Sequence, residues 1–340
     1  SGEQLKADWE ALIDGASGGT IQILYMGYNN LRETPSEEML KRMTKIGYLD
    51  LTNNRLEVVH PFGKEISLTT IYLDNNRITR LYPAEDGYFC GLMMMETFSC
   101  ANNCLTELPD LFTAQSIYTM LSADFSSNDI TALANGDEWR GINTGSLNLS
   151  NNRFEELPAR IMKSGSKIET LMLSYNGMRT IAEGALTGPY SPYLTTIDLS
   201  FNRLREIPYD DFSAANIPYL YGIDLSNNAF DAFPFAPLSI ETLTVMSIRQ
   251  QRDDEGNRTL REWPQGLHAC PKMSAFYIGS NDLGKIEDTI SPYILLFEIK
   301  DNPNISIDLS EVCPYIEMGY YELIYDSTQN IRGCDALNLD

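Results

Sequence analysis

The sequence lacks most of what catalysis, metal binding or membrane insertion would need. Only two of its 340 residues are histidines, His60 and His268, and neither lies near a plausible nucleophile. There is no GxSxG, HExxH or Walker-type loop, so no catalytic residue is assigned and neither an enzyme activity nor a cofactor is expected. The six cysteines (Cys90, Cys100, Cys104, Cys270, Cys313 and Cys334) form no CxxC pair and have no histidine at ligand spacing, which argues against zinc. Basic residues are scarce. With 25 Lys and Arg against 47 Asp and Glu, the formal charge is −22, a field that repels phosphate backbones and anionic headgroups, so nucleic acid is not an expected partner. No apolar run approaches the roughly 18 residues that cross a bilayer, and membrane insertion is not expected. The first residues lack the blocks of a signal peptide, and the start at Ser1-Gly2 reads as a trimmed chain whose export signal, if it had one, is gone.

What the chain does have is a repeat. LYMGYNNL from Leu24, LDLTNNRL from Leu49, IYLDNNRI from Ile71, LNLSNNRF from Leu147, LMLSYNGM from Leu171, IDLSFNRL from Ile197, IDLSNNAF from Ile223 and FYIGSNDL from Phe276 align, with degenerate copies from Phe98 and Ala123. Their asparagines form a column: Asn29, Asn54, Asn76, Asn103, Asn128, Asn152, Asn176, Asn202, Asn228, Asn281 and Asn302, mostly 22 to 27 residues apart. An apolar residue recurs three positions upstream, as at Ile21, Ile46, Leu68, Ile168, Leu194, Leu220 and Met273. Between Asn228 and Asn281 lies a copy without its asparagine, read as Leu243 to Ile248 followed by a polar insertion at 249–258.

This LxxLxLxxNxL pattern resembles the leucine-rich-repeat family, in particular exported bacterial members, over roughly residues 20 to 305. The resemblance implies an α/β fold: a curved leucine-rich-repeat solenoid with a parallel β-sheet on its concave face and short helical or extended turns on its convex face. About twelve repeats are expected over 20–305. A capping helix is expected over 1–19, where Leu5, Trp9, Leu12 and Ile13 fall at helical spacing, and a C-terminal cap over 306–340 that opens with a final alternating strand at Ile305 to Leu309. Each column asparagine is expected to bury its amide and bond neighbouring backbone, forming a structural ladder. Cys100 and Phe125 depart from leucine at core positions. Cys313 and Cys334 could clip the C-terminal segment or remain thiols.

In such a solenoid the residues between the inward leucines face the concave surface, the family's usual ligand platform. That column runs Tyr25, Asp50, Tyr72, Ser99, Asp124, Asn148, Met172, Asp198, Asp224, Thr244, Tyr277 and Glu298, with Tyr48 and Thr242 among the neighbours two residues earlier. The ligand-binding candidates are an aromatic group, Tyr25, Tyr28, Tyr48 and Tyr72, an acidic series, Asp124, Asp198 and Asp224, and Tyr277. Exposed tyrosine buries large area with little entropy loss, although tyrosine also favours strands for its own sake. Aspartate is disfavoured in strands, so its recurrence points either to a basic or hydrogen-bonding partner or to solubility. Asp198 and Asp224 could share a cation, but no DxDxDG loop is present and no metal site is assigned. The insertion is expected to project beside the concave face as a specificity loop or a plain solvated excursion.

The reading is therefore a monomeric, non-catalytic binding or adhesion module for a protein, peptide or glycan. A rigid spacer in a surface protein and the recognition arm of a longer enzyme are the alternatives. Resemblance implies an exported, cell-surface or secreted bacterial protein, with the cytoplasm as the other location. Asn-x-Ser/Thr sites at Asn148, Asn257 and Asn304 bear weakly on that.

Overall fold

A three-residue strand has no stability of its own, since it buries one or two apolar side chains and leaves its backbone unpaired unless copies lie alongside. Stacking the repeats supplies both partners. The computed structural model describes residues 9, 11, 13, 18–60, 62, 66, 68–81, 94–110, 120–134, 136, 139, 141–159, 161–162, 167–188, 191–267 and 270–337. It divides into two compact units, Ser1–Phe154 with Arg160–Met172, and Glu155–Ala159 with Leu173–Asp340.

In the first unit the strands Ile23–Tyr25, Tyr48–Asp50, Thr70–Tyr72, Thr97–Ser99, Met120–Asp124, Thr144–Asn148 and Thr170–Met172 pair in that order, all parallel. In the second, Thr196–Asp198, Gly222–Asp224, Val245–Ser247, Ala275–Tyr277, Leu296–Glu298 and Glu322–Ile324 do the same. Inward residues face inward residues: Leu24 with Leu49, Ile71 with Phe98, Ile223 with Met246, Phe276 with Phe297. Cys100 and Phe125 are fully buried, so the core column survives their substitution for leucine. Among the described residues the return segments carry short parallel pairs at Glu107–Leu108 with Ala132–Leu133 and at Glu156–Leu157 with Thr180–Ile181. Proline follows two of these strands, at Pro109 and Pro158, where strand continuation must stop.

The turn out of each strand is where the repeat is held. Among the described residues twelve non-glycine residues have positive φ: Tyr28, Asn53, Asn75, Asn102, Ser127, Asn151, Tyr175, Phe201, Asn227, Gln250, Ser280 and Asp301. Every one directly precedes a side-chain amide of the ladder. The left-handed turn costs a non-glycine residue about 1–2 kcal/mol, least for Asn, which accounts for the recurring Asn-Asn pairs. It is offset because the turn residue's N–H reaches the next repeat, as in Asn53 N–H to the Asp74 carbonyl at 2.9 Å and Phe201 N–H to the Ser226 carbonyl at 2.9 Å.

The following amide then points inward. In the first unit the Oδ1 atoms of Asn54, Asn76, Asn103, Asn128 and Asn152 accept the N–H groups of Leu31, Leu56, Ile78, Leu105 and Ile130 at 2.9–3.1 Å. Their Nδ2 atoms donate to two repeats at once, Asn128 to Cys100 O at 2.9 Å and to Phe125 O at 3.1 Å. In the second unit Asn202, Asn228 and Asn302 accept from Met178, Leu204 and Leu283 in the same way, and Asn281 accepts from Gln251 N–H. Asn176 donates to Leu173 O and Ser174 O. Asn29 differs from the expected buried member. It is exposed, and among the described residues its amide bonds only its own turn, at Met26 O and Gly27 O.

The copy without asparagine is not a gap. Gln251 is fully buried, its Oε1 accepting Phe230 N–H at 3.2 Å and its Nε2 donating to Leu225 O at 3.0 Å. One extra methylene is accommodated and the ladder passes through. The insertion is therefore shorter than 249–258: Arg249 to Gln251 belong to the regular turn, and a tight hairpin begins at Arg252, which bridges antiparallel to Arg258. Asp253 holds it by accepting from Asn257 N–H at 2.7 Å and Glu255 N–H at 3.1 Å, with Gly256 at φ 85 supplying the bend.

At the ends, Leu5 and Leu12 of the expected capping helix lie outside the described residues. Residues 9, 11 and 13 are helical, with Trp9 and Ile13 buried and Ala11 exposed. The C-terminal segment corrects the expected final strand. Ser306–Asp308 is a strand, but it pairs with Asn330–Arg332 in the return half, and Glu322–Ile324 is the one that extends the long sheet beside Leu296–Glu298. Gln329 continues the ladder there, donating to Ile299 O at 2.8 Å. A disulfide joins Cys313 to Cys334 and ties the short helix Cys313–Glu317 to the chain beyond Asn330–Arg332.

Asn128→Ala would leave the buried Leu105 N–H without its acceptor, at about 1–3 kcal/mol, and take one donor each from Cys100 O and Phe125 O, which keep Asn103 and Asn152 as partners. Urea denaturation should show it losing on the order of 3 kcal/mol and Asn29→Ala under about 1 kcal/mol. Equal losses for the two variants would contradict the ladder.

Candidate functional site

Strand alternation sends every second residue outward, and parallel register lines these residues up in columns across the sheet. In the first unit Tyr25 pairs in register with Asp50 and Asp50 with Tyr72, while Tyr48 stands one position pair earlier in the strand between. The three rings therefore zigzag across adjacent strands. Tyr25 and Tyr48 have centroids 5.1 Å apart and Tyr48 and Tyr72 5.8 Å apart, both tilted. Tyr25 is 66% exposed and Tyr48 half-buried between its neighbours. Burial first, and then the adjoining Tyr25 and Tyr72, push the Tyr48 phenol above its ordinary pKa, so it stays a neutral donor. Tyr28 does not join them on the strands. It occupies the left-handed turn that follows, 84% exposed.

The acidic column has a structural task. The Oδ1 atoms of Asp50, Asp124, Asp198 and Asp224 each accept the N–H two residues on, from Thr52, Ser126, Ser200 and Ser226, at 2.8–2.9 Å. Asn148 makes the same bond to Ser150 at 3.0 Å without a charge, and donates to the free oxygen of Asp124 at 3.1 Å. Aspartate recurs in these strands because it closes an Asx turn where the strand ends. Asp198 and Asp224 are register partners, yet among the described residues no three His, Cys, Asp or Glu side chains are grouped as a metal site. Asp74 lies two residues past Tyr72, just beyond the strand Thr70–Tyr72. Burial pushes its carboxyl above the usual range although it accepts from Ser99 Oγ and from Ala101 N–H.

In the second unit Tyr277 lies beneath a cation. The Arg249 guanidinium sits 4.2 Å from its ring centroid and pairs with Glu298 on the neighbouring strand. Two column assignments change here. Val245 pairs with Gly222 and Ser247 with Asp224, so Val245 and Ser247 face outward in place of Thr242 and Thr244. Leu243 is the upstream apolar residue of this repeat, and both it and Met246 are buried, which makes Met246-Ser247-Ile248 the true strand core. His60 is half-buried in a return segment, 3.1 Å from Glu33, and His268 lies outside the described residues.

No protein-family model matches the chain. It is 45% identical to a leucine-rich repeat protein from Bacteroides eggerthii DSM 20697, whose structure superimposes with a TM-score of 0.91 over 100% of this chain and 57% of that one. A second, from Bacteroides thetaiotaomicron VPI-5482, is 42% identical with TM-score 0.91, over 100% of this chain and 41% of that one. The chain is a leucine-rich-repeat protein. Among curated proteins, lumican from Rattus norvegicus is 28% identical over 48% of this chain and 48% of its own length. An internalin, InlF of Listeria monocytogenes, shares the fold at 14% identity, TM-score 0.61, over 96% of this chain and 91% of that one. This leucine-rich-repeat chain thus spans about half the length of rat lumican and of the first Bacteroides structure.

If the acidic column of this leucine-rich-repeat protein serves its own turns, charge should matter little to folding. Asp224→Asn keeps the acceptor, as Asn148 does, and should unfold within about 0.5 kcal/mol of the parent, whereas Asp224→Ala should lose about 1 kcal/mol. Equal destabilisation of the two variants in urea would contradict that role.

Proposed function

We propose that this leucine-rich-repeat chain is a non-catalytic recognition module that holds a protein, peptide or glycan against the outward face of its parallel sheet. The observation that carries the reading is the row of tilted tyrosines on three successive strands, Tyr25, Tyr48 and Tyr72. Large rings fixed on rigid strands lose little freedom when covered and present an apolar face with a hydroxyl at its edge. Tyr28 adds a freely exposed ring at the adjoining turn. Asp198 and Asp224 keep one carboxylate oxygen beyond the Asx bond and, with Tyr277, are proposed as polar contacts on the outward face of the second unit's strands; Asp124, whose second oxygen accepts from Asn148 Nδ2, is proposed as one on the outward face of the first.

Export to the cell surface or medium belongs to the same proposal, supported by the Cys313–Cys334 disulfide, since such bridges persist in oxidising compartments. A monomer is proposed, because a surface used for a ligand need not be covered by a second copy.

The test is an oligosaccharide array and a peptide library probed with the parent and with Tyr25→Ala/Tyr48→Ala/Tyr72→Ala. Each buried aromatic anchor contributes on the order of 2 kcal/mol, so hits of the parent should weaken by tenfold or more in the triple variant. Hits that bind both proteins equally, or no hit at tens of micromolar, would move a spacer role ahead.

A further inference from the structure

The second unit carries a basic recess in a chain of net charge −22. It has a volume of about 320 Å³, and its walls include Arg179, Arg203, Arg205 and Arg252 against only two carboxylates, Asp253 and Asp254. Both acids are engaged. Asp253 accepts three hydrogen bonds inside the hairpin, from Glu255 and Asn257, which hold its carboxyl below the usual range, and Asp254 faces Arg179 at 3.9 Å. Arg252 donates to Gly256 O. Arg203 and Arg205 have no carboxylate partner among the described residues. Asn227 and Gln250, both at left-handed turns, also line the recess, and neither side-chain amide has a hydrogen-bond partner among the described residues. At the same turn position in the first unit Asn102 bonds Asn75 at 2.6 Å and Asn151 bonds Ser127 at 3.0 Å.

In the second unit, the two left-handed turns before Asn227 hold aromatic residues. Tyr175 and Phe201 are stacked at 4.1 Å with planes 10° apart, and remain 54% and 42% exposed. A bulky ring is a poor choice for a left-handed turn, where Asn, Asp or Gly fit with least strain, and stored strain of this kind clusters at ligand sites. Phe201 directly precedes Asn202 and Arg203, two of the residues lining the recess. The ladder occupies the amides of Asn202 and Asn228 and fixes the backbone of the floor, leaving guanidinium, free amide and ring to meet a ligand.

We propose that this recess binds a uronic-acid unit of an acidic polysaccharide. The unpaired guanidiniums would take the carboxylate in a bidentate fork. The Asn227 and Gln250 amides, each donor and acceptor, suit ring hydroxyls. The outer face of the stacked rings offers a platform for an extended chain. A peptide fits less well, because Ala229 is the sole apolar residue among the described lining residues and supplies no pocket for a side-chain anchor. The site is separate from the tyrosine row, lying at the turns of the second unit.

The probes are oligomers of galacturonate, mannuronate and glucuronate-containing disaccharides, titrated calorimetrically into the full chain beside a neutral galacto-oligosaccharide and poly-glutamate. At least one uronate series should bind, more weakly as salt rises, with the neutral sugar and poly-glutamate silent. Arg203→Ala/Arg205→Ala, two exposed substitutions whose fold circular dichroism checks, should weaken binding at least tenfold. The Tyr25, Tyr48, Tyr72 triple variant should bind as the parent does. Silence from all three uronate series, poly-glutamate binding as well as the uronates, or an arginine double variant that binds unchanged, would each overturn the proposal.

Discussion

Everything in this molecule depends on one side-chain amide per repeat that satisfies the backbone of two turns at once. A solenoid of three-residue strands leaves the turn after each strand buried and irregular, with carbonyls and N–H groups that no sheet can pair. The ladder amide removes that penalty, and the left-handed residue before it aims the amide inward. Asn54 shows the full set, accepting Leu31 N–H and donating to Met26 O and Leu51 O. The requirement is for a donor and an acceptor at that depth rather than for asparagine. Gln251 meets it within the sheet and Gln329 meets it at the C-terminal end.

Holding the backbone this way fixes the strand register, and register decides what the outward face presents. The tyrosines of the first unit come together because two of them lie in one column and the third fills the diagonal between. The aspartates of the neighbouring strands are engaged with the same turns, so their recurrence follows from backbone needs before any ligand is invoked. What remains unexplained by folding is small: the aromatic row, the rings placed at unfavourable turns, and arginines without partners. Those are the places where local preference is overruled, and they are where recognition is proposed.

Much of this was legible in the sequence, because period and spacing are direct consequences of stacking. The LxL alternation located the strands, and the outward column from Tyr25 to Glu298 matches the observed register except at the tenth repeat. There, Leu243, Met246 and Ile248 are all apolar, so pattern alone allowed Leu243 to be taken for a strand residue, which displaced Thr244 into the column and Arg249 into the insertion. Spacing of 23 residues from Asn228 to Gln251 was the signal that could have corrected it. The Asx role of Asp198 and Asp224 was hidden because it depends on the direction of the backbone N–H two residues on, where the strand ends. At the C-terminus, Ser306-Ile307-Asp308 alternates and Glu322-Leu323-Ile324 does not, so pattern alone favoured the return strand over the one that extends the sheet.

The central claim, that side-chain amides and not water satisfy the turn backbone, can be read directly by hydrogen exchange. The N–H groups of Leu56, Ile78, Leu105 and Leu204 lie outside any strand yet donate to ladder amides. They should exchange as slowly as the strand amides of their own repeats. Exchange at the rate of the exposed Arg252–Arg258 hairpin would mean that water satisfies them, and would contradict the account.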